Sequence, residues 1–171
     1  MGLKSSSGTV YVVDFGLAKC YLDKDEPDGH IEFSFSGDKP IIGTARFASV
    51  NAHHGNELSR RDDLESLGYM MIYFLIGSLP WSAIERRTIE ETFYAIAKVK
   101  GEIKTKELCH GCPQEFILYM DYCKGLTFKQ RPDYGFLRVL MQGLARREHL
   151  ELDINCFDWC FLLNRQISAP G

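Results

Sequence analysis

The sequence predicts a mainly α-helical domain with a short β segment near its start. After residue 45, apolar residues recur at three- and four-residue steps in several segments, which is the spacing of one face of a helix. Before them, residues 9–13 are β-branched and aromatic and lead into Asp14, Phe15 and Gly16, where glycine permits a turn. We therefore expect a strand over 9–13 that runs into a loop, followed by helices.

Length, composition and charge limit the functions to consider. The chain has 171 residues, 45% of them hydrophobic, which is enough for one substantial core. A net charge of -3 gives no basic field, so neither nucleic acid nor an anionic membrane surface is an expected partner. Six cysteines without a signal-like segment after Met1 favour a reduced protein in the cytoplasm, with the nucleus as an alternative. Cys109 and Cys112 have zinc-knuckle spacing, but no second pair matches them, which disfavours a metal site.

The first and longest predicted helix begins at Arg60. Asp62 and Asp63 favour a helix N-terminus because they complement its partial positive charge. Apolar and aromatic residues occupy the other faces, so we expect this helix to be buried nearly all round, as the hub of the domain. The most apolar stretch of the chain, 67–81, is shorter than the roughly 20 residues that a membrane span needs. The sequence GSLP at 77–80 is expected to end the helix.

Three further helices are predicted along the chain. One runs from about Arg87 to Lys100 and is expected to be half exposed. Pro113 and Pro132 each stand where a helix can begin, which predicts a helix after each of them. Between the predicted strand and the first helix, residues 23–40 are rich in Asp, Gly, Pro and Ser. That composition predicts an exposed, mobile loop.

The tripeptide Asp14, Phe15, Gly16 matches the signature of the magnesium-binding loop of protein kinases. A carboxylate is a hard oxygen ligand for magnesium, which neutralises charge on nucleotide phosphates, and glycine lets the loop turn tightly. An ordinary turn at the end of a strand can have the same three residues. The tripeptide alone therefore leaves both interpretations open.

Longer blocks of the sequence resemble the casein kinase I family of serine/threonine protein kinases. These blocks are 12–19 (VVDFGLAK), 43–51 (GTARFASVN), 59–69 (SRRDDLESLGY), 77–81 (GSLPW), 113–116 (PQEF) and 132–134 (PDY). They follow one another in the order of that family. The resemblance implies the fold of a kinase C-terminal lobe, with the N-terminal lobe absent. It implies a partial kinase domain over 1–163 and a frayed tail over 164–171.

The resemblance also implies roles for individual residues. Asp14, Phe15 and Gly16 would bind the nucleotide, with Asp14 as the magnesium ligand. Thr44 resembles an activation-segment threonine whose hydroxyl contacts the catalytic aspartate. Asp63 resembles the central-helix aspartate that accepts hydrogen bonds from the backbone of the catalytic loop. Turn formation by Thr44 and capping of the helix by Asp63 remain alternatives.

Two arginines match functional or structural positions of the family. Arg46 matches a residue that helps to hold a substrate anion, and a guanidinium fork suits phosphate. A plain surface arginine is the alternative. The sequence departs from the family at 88–92 (TIEET), where the family is rich in Lys and Arg, so a preference for acidic or phosphorylated substrates stays open. Arg131 matches a structural kinase arginine whose usual glutamate partner is absent from this sequence, which leaves its partner unassigned.

The sequence lacks several groups that phosphoryl transfer requires. A kinase needs a glycine-rich loop, a Lys–Glu pair, and a catalytic-loop aspartate and asparagine. No Gly-x-Gly-x-x-Gly and no His-Arg-Asp occur, and residues 1–3 (MGL) resemble those that follow the catalytic-loop asparagine in the family. The family uses ATP and magnesium to phosphorylate protein substrates. We expect the 171 residues by themselves to be inactive, and do not expect them to bind ATP firmly alone.

The alternative to an enzyme is a non-catalytic, kinase-like interaction module. Helices that cover one side of the central helix in the family have no counterpart in this sequence. Their absence is expected to leave an apolar face exposed, and such a face favours a protein partner or self-association.

Overall fold

A computed structural model of the chain describes residues 9–22, 29–35 and 44–150. The described residues belong to two compact units. One unit contains the described part of 19–140, and the other contains residues 9–18 and 141–150. The tail predicted over 164–171 and most of the loop predicted over 23–40 lie outside the described residues.

The described chain is mainly helical, as the sequence predicts. Its helices are α1 (Val50–His53), α2 (Arg60–Ile76), α3 (Ile89–Glu102), α4 (Thr105–Leu108), α5 (Gln114–Gly125) and α6 (Tyr134–Arg147). The four helices predicted from apolar spacing correspond to α2, α3, α5 and α6. A four-residue helix is too short to show a helical period, so α1 and α4 were not predicted. Among these helices none combines the length and the apolarity needed to cross a membrane.

The ends of α2 lie at the predicted positions. The main-chain N–H of Ser59 donates to Asp62 Oδ2 at 2.9 Å, so the carboxylate satisfies a donor before the first turn. At the other end Gly77 has a φ of 85°, a left-handed conformation that glycine adopts without steric cost. Its N–H donates to the carbonyl of Tyr73 at 2.7 Å. Both ends of the helix are therefore closed by local hydrogen bonds.

Helix α2 packs against α5 through a glycine. A Cβ atom on Gly68 would lie 2.3 Å from Met120 Sδ and 3.0 Å from Tyr119 Cε1. Both of these side chains are almost completely buried, and Tyr119 Oη donates to the carbonyl of Leu64 at 2.9 Å. The two helices approach this closely because residue 68 has no side chain.

The expectation that α2 is buried nearly all round is wrong for its last turn. Phe74, Leu75 and Ile76 are 73%, 52% and 41% exposed. The helix contacts α1 and α5, and the described part of the chain covers its C-terminal turn only in part. The last turn of α2 therefore presents apolar side chains at the surface.

The strand predicted over residues 9–13 is not present. Val10, Val12 and Val13 are 70%, 78% and 75% exposed. A strand needs a neighbour that pairs with its backbone and covers one face, and no described segment pairs with 9–13. The described β pairing consists of isolated antiparallel bridges between Leu22 and His30 and between Phe35 and Asn56.

Candidate functional site

Asp62 lies at the centre of a buried hydrogen-bond network at the start of α2. Its side chain is 2% exposed, and Oδ1 accepts from Ser49 Oγ at 2.8 Å and from Asn51 Nδ2 at 2.9 Å. Oδ2 accepts from the N–H of Ser59. Ser49 Oγ in turn accepts from the N–H of Ala52 at 3.1 Å, which caps α1. One carboxylate therefore holds α1 and the start of α2 together.

Glu65 extends this network one turn further along α2. Its Oε1 accepts from the N–H of Val50 at 3.1 Å and from Tyr69 Oη at 2.6 Å. Burial and the adjacent carboxylate raise the pKa of Tyr69 far above its ordinary value, so the phenol stays protonated and donates. The blocks 44–51 and 59–69, which are separate in the sequence, are thus tied together by two acidic side chains.

Lys100 reaches the loop before α1 from the neighbouring helix α3. Its side chain is 1% exposed, and Nζ donates to the main-chain carbonyls of Ala45 at 2.9 Å and Ala48 at 2.5 Å. His53 Nε2 lies 3.2 Å from the same Nζ. The three acceptors match the three N–H groups of an ammonium. We call Lys100 with these three acceptors the lysine clamp.

Two aromatic rings and one carboxylate influence the charge of Lys100. Nζ lies 4.8 Å from the ring centre of Tyr69 and 4.9 Å from that of Trp81. Burial lowers the pKa of Lys100 to about 7, while the negative charge of Glu65 acts in the opposite direction. The acceptors of the lysine clamp and the rings stabilise the protonated form.

The sequence reasoning missed Lys100, although the signal is present. Lys100 stands on the same face of the predicted helix as Phe93, Ile96 and Ala97, which are apolar. Ile96 and Ala97 are buried in the structure. A lysine in line with buried residues predicts a buried ammonium that needs several acceptors.

Thr44 lies at the start of the loop that the lysine clamp holds. Its carbonyl accepts from the N–H groups of Phe47 at 2.9 Å and Ala48 at 3.1 Å, which closes a tight turn. The residue itself is exposed. The backbone of Thr44 thus makes the turn, and its hydroxyl role stays a prediction.

Arg46 lies in the same turn with its charge directed onto an aromatic ring. The guanidinium carbon is 5.1 Å from the ring centre of Tyr73, and the carbonyl of Arg46 accepts from Trp81 Nε1 at 2.8 Å. No carboxylate of the described residues pairs with this guanidinium. Stacking fixes the side chain while leaving N–H donors for an anion.

The two predicted structural residues, Asp63 and Arg131, lie outside the network. Asp63 is exposed, and partial burial followed by the charge of Asp62 raises its pKa. Arg131 is exposed as well. Neither side chain has a hydrogen bond or ion pair with another described residue, so both roles stay predictions. The buried contacts belong to Asp62, one residue earlier in the chain.

Asp14, Phe15 and Gly16 lie in the second unit, the one formed by residues 9–18 and 141–150. Asp14 has a φ of 66°, which is uncommon for a residue with a side chain. Its Oδ1 accepts from the N–H of Gly16 at 3.3 Å, and Phe15 is 68% exposed. Backbone conformations of this kind cluster at functional sites.

A single exposed carboxylate such as Asp14 is compatible with a magnesium ion whose other ligands are nucleotide phosphates and waters. Magnesium keeps several waters and takes one or two carboxylates together with phosphate oxygens. Across 9–22, 29–35 and 44–150, no group of three or more His, Cys, Asp or Glu side chains could hold a metal ion. Cys109 and Cys112 are free thiols. Magnesium binding by Asp14 stays a prediction.

No model of a known protein family matches this sequence.

Proposed function

We propose that this chain supplies the magnesium loop, the activation segment and the C-terminal-lobe helices of a serine/threonine protein kinase of the casein kinase I type. The observation that carries the proposal is the network at Asp62. Two blocks that resemble this family meet there, through hydrogen bonds from Ser49 and Asn51 to one carboxylate. Phosphoryl transfer depends on positioning, so a loop that presents the substrate benefits from such a buried anchor.

In this proposal each of the described site residues has a separate role. Asp14 would hold magnesium, and magnesium would neutralise charge on the phosphates of ATP when bound. Arg46, stacked on Tyr73, offers N–H donors to an anionic group of the protein substrate. Thr44 presents its exposed hydroxyl to the catalytic aspartate. The lysine clamp and Asp62 fix the loop that carries both Thr44 and Arg46.

The 171 residues by themselves are proposed to be inactive. They contain neither a Gly-x-Gly-x-x-Gly loop nor a His-Arg-Asp sequence. Removing one electrostatic contact to a transition state costs up to roughly a thousandfold in rate, and here several are missing together. Radiolabel transfer from ATP to casein is expected to stay at background with this polypeptide.

A chimeric protein tests the family assignment. The N-terminal lobe and catalytic loop of a casein kinase I enzyme are joined in front of residue 1, and transfer of labelled phosphate from ATP to casein is measured. The chimera is expected to be active because the missing groups are restored. Asp14→Ala is expected to abolish transfer, and Asp121→Ala, at an exposed position on α5, to leave it unchanged.

Two outcomes of this experiment contradict the proposal. One is a chimera with a normal circular dichroism spectrum and a cooperative unfolding transition that transfers no phosphate. The other is an active chimera whose rate is unaffected by Asp14→Ala, since magnesium would then not depend on Asp14.

A second candidate function is a non-catalytic, kinase-like interaction module. The exposed last turn of α2, with Phe74, Leu75 and Ile76, favours it because contiguous apolar surface tends to be covered by a partner. Light scattering coupled to size exclusion tests self-association through this turn. Phe74→Glu is expected to shift the protein towards monomer, whereas Val139→Glu, at an exposed apolar position of α6, is not. A wild-type protein that is monomeric at every concentration contradicts self-association.

A further inference from the structure

An open groove of about 400 Å³ lies between the end of α1 and the outer side of α3. Phe93 and Ala97 contribute apolar surface to it, while Glu90, Tyr94 and Glu102 stand exposed along α3. All of these residues belong to the unit that contains 19–140. Neither the network at Asp62 nor the proposed phosphoryl transfer uses this groove.

His53 presents an unpaired donor in the lining of the groove. Its Nε2 lies 3.2 Å from Lys100 Nζ and 3.3 Å from the carbonyl of Ala45. An ammonium can only donate, and the carbonyl of Ala45 already accepts from Lys100 at 2.9 Å, so we assign Nε2 as a further acceptor of Lys100 and place the ring proton on Nδ1. Nδ1 is buried and has no partner among the described residues. A buried N–H without an acceptor is unfavourable, and an oxygen of a ligand would satisfy it.

The charge of the groove favours a cationic ligand. Glu90 and Glu102 line it together with a single lysine, Lys98, and none of the three forms an ion pair within the described chain. Burial lowers the pKa of His53 to about 4, with a further contribution from Lys100, so its ring is neutral at pH 7. Tyr94 is 76% exposed, and an exposed aromatic ring beside carboxylates is a suitable surface for an arginine or lysine.

We propose that this groove is a docking site for a basic peptide segment of a partner protein. One arginine or lysine side chain of the segment lies beside Glu90 and Tyr94, and a second lies beside Glu102, about 18 Å further along α3. A main-chain carbonyl of the same segment accepts the N–H of His53 Nδ1 after the side chains that line the groove shift to uncover this atom. A peptide supplies the cation and the acceptor together, which neither a metal ion nor an acidic segment does. The proposal does not depend on the kinase assignment.

Fluorescence anisotropy with the complete chain tests the site. The probe is a fluorescein-labelled nonapeptide of alternating arginine and glycine. We expect saturable binding that weakens as salt rises, because exposed charges are screened. Peptides of the same length with glutamine or glutamate in place of arginine are expected not to bind. Absence of saturable binding by the arginine peptide at low salt overturns the proposal.

Matched charge variants locate the binding. The double variant Glu90→Gln/Glu102→Gln is expected to weaken binding by about tenfold or more, and Tyr94→Ala by about threefold. Glu107→Gln/Asp121→Asn removes the same charge at exposed positions outside the groove and is expected to change binding by less than about twofold. If both double variants weakened peptide binding equally, the peptide would be attracted by the net charge of the protein and not by the groove. That result would reject the docking site. Circular dichroism verifies that each variant is folded.

Discussion

Lys100 Nζ lies 3.2 Å from His53 Nε2, which joins α3 to the end of α1 beneath the loop that carries Thr44 and Arg46. The same ammonium donates to the carbonyls of Ala45 and Ala48. Three residues of the loop and the first helix, Ala45, Ala48 and His53, therefore depend on one buried side chain.

Lys100→Met removes the ammonium and keeps most of the alkyl chain. The carbonyls of Ala45 and Ala48 would lose their donor in a buried environment, and each unsatisfied group costs about 1–3 kcal/mol. We expect the free energy of unfolding, measured by urea titration, to fall by about 3 kcal/mol. Lys98→Met, on the exposed side of α3, is the control and is expected to change it by less than about 0.5 kcal/mol. Similar values for both variants would contradict the role of the lysine clamp.

Stability is expected to fall when the pH is lowered from 6.5 to 4. Burial and the positive charge of Lys100 lower the pKa of folded His53 from 6.5 to about 4. In this interval the unfolded chain binds a proton that folded His53 does not, so the free energy of unfolding decreases as pH decreases. Lys100 and His54 also face His53, and Lys100, whose pKa burial lowers to about 7, is mainly protonated at the upper end of the interval and fully protonated at the lower end.

His53→Gln isolates this contribution because glutamine keeps an acceptor for Lys100 and does not titrate. Thermal unfolding is followed from pH 7 to pH 4 for both proteins. The carboxylates titrate alike in the two proteins and their effects cancel in the comparison. As the pH falls, the thermal unfolding midpoint of the wild type should therefore decrease more than that of His53→Gln. A difference in midpoint independent of pH would show that His53 titrates normally in the folded protein.

Asp62→Asn is expected to destabilise the chain more than Asp63→Asn does. Asp62 accepts hydrogen bonds from Ser49, Asn51 and Ser59, and an amide in its place brings two donors where acceptors are needed. We expect a loss of about 3 kcal/mol for Asp62→Asn and less than about 0.5 kcal/mol for Asp63→Asn. Denaturant titration of the two variants measures the difference. The reverse order would place the buried anchor at Asp63.

Gly68→Ala and Gly101→Ala form a matched pair in two helices. A Cβ atom at residue 68 would meet Met120 and Tyr119, so we expect a loss of about 2 kcal/mol from strain between α2 and α5. A Cβ atom at Gly101 has nothing within 4 Å, and alanine is expected to add about 0.5–1 kcal/mol through its helix propensity. Thermal unfolding measures both. A stabilised Gly68→Ala would mean that α2 and α5 do not pack as closely as described.

The sequence alone determined where α2 begins and ends and where α5 begins. Pro113 precedes α5 directly, and Gly77 ends α2 with a left-handed φ. These signals are local, because proline and glycine act through the dihedral angles of one residue. The spacing of apolar residues predicted a mainly helical fold for the same reason, because one face of a helix can be recognised within a short segment of sequence.

Tertiary contacts decided which residues of the candidate site are buried, and no local pattern contains that information. Asp62 and Asp63 are adjacent and chemically identical, yet only Asp62 meets Ser49 and Asn51, because successive residues of a helix point about 100° apart. The valines of 9–13 have a high strand propensity, but a strand forms only where a neighbour supplies backbone partners. Lys100 became the anchor of the loop because folding placed three acceptors and two rings around its ammonium, and burial of a charge is tolerated only with such partners.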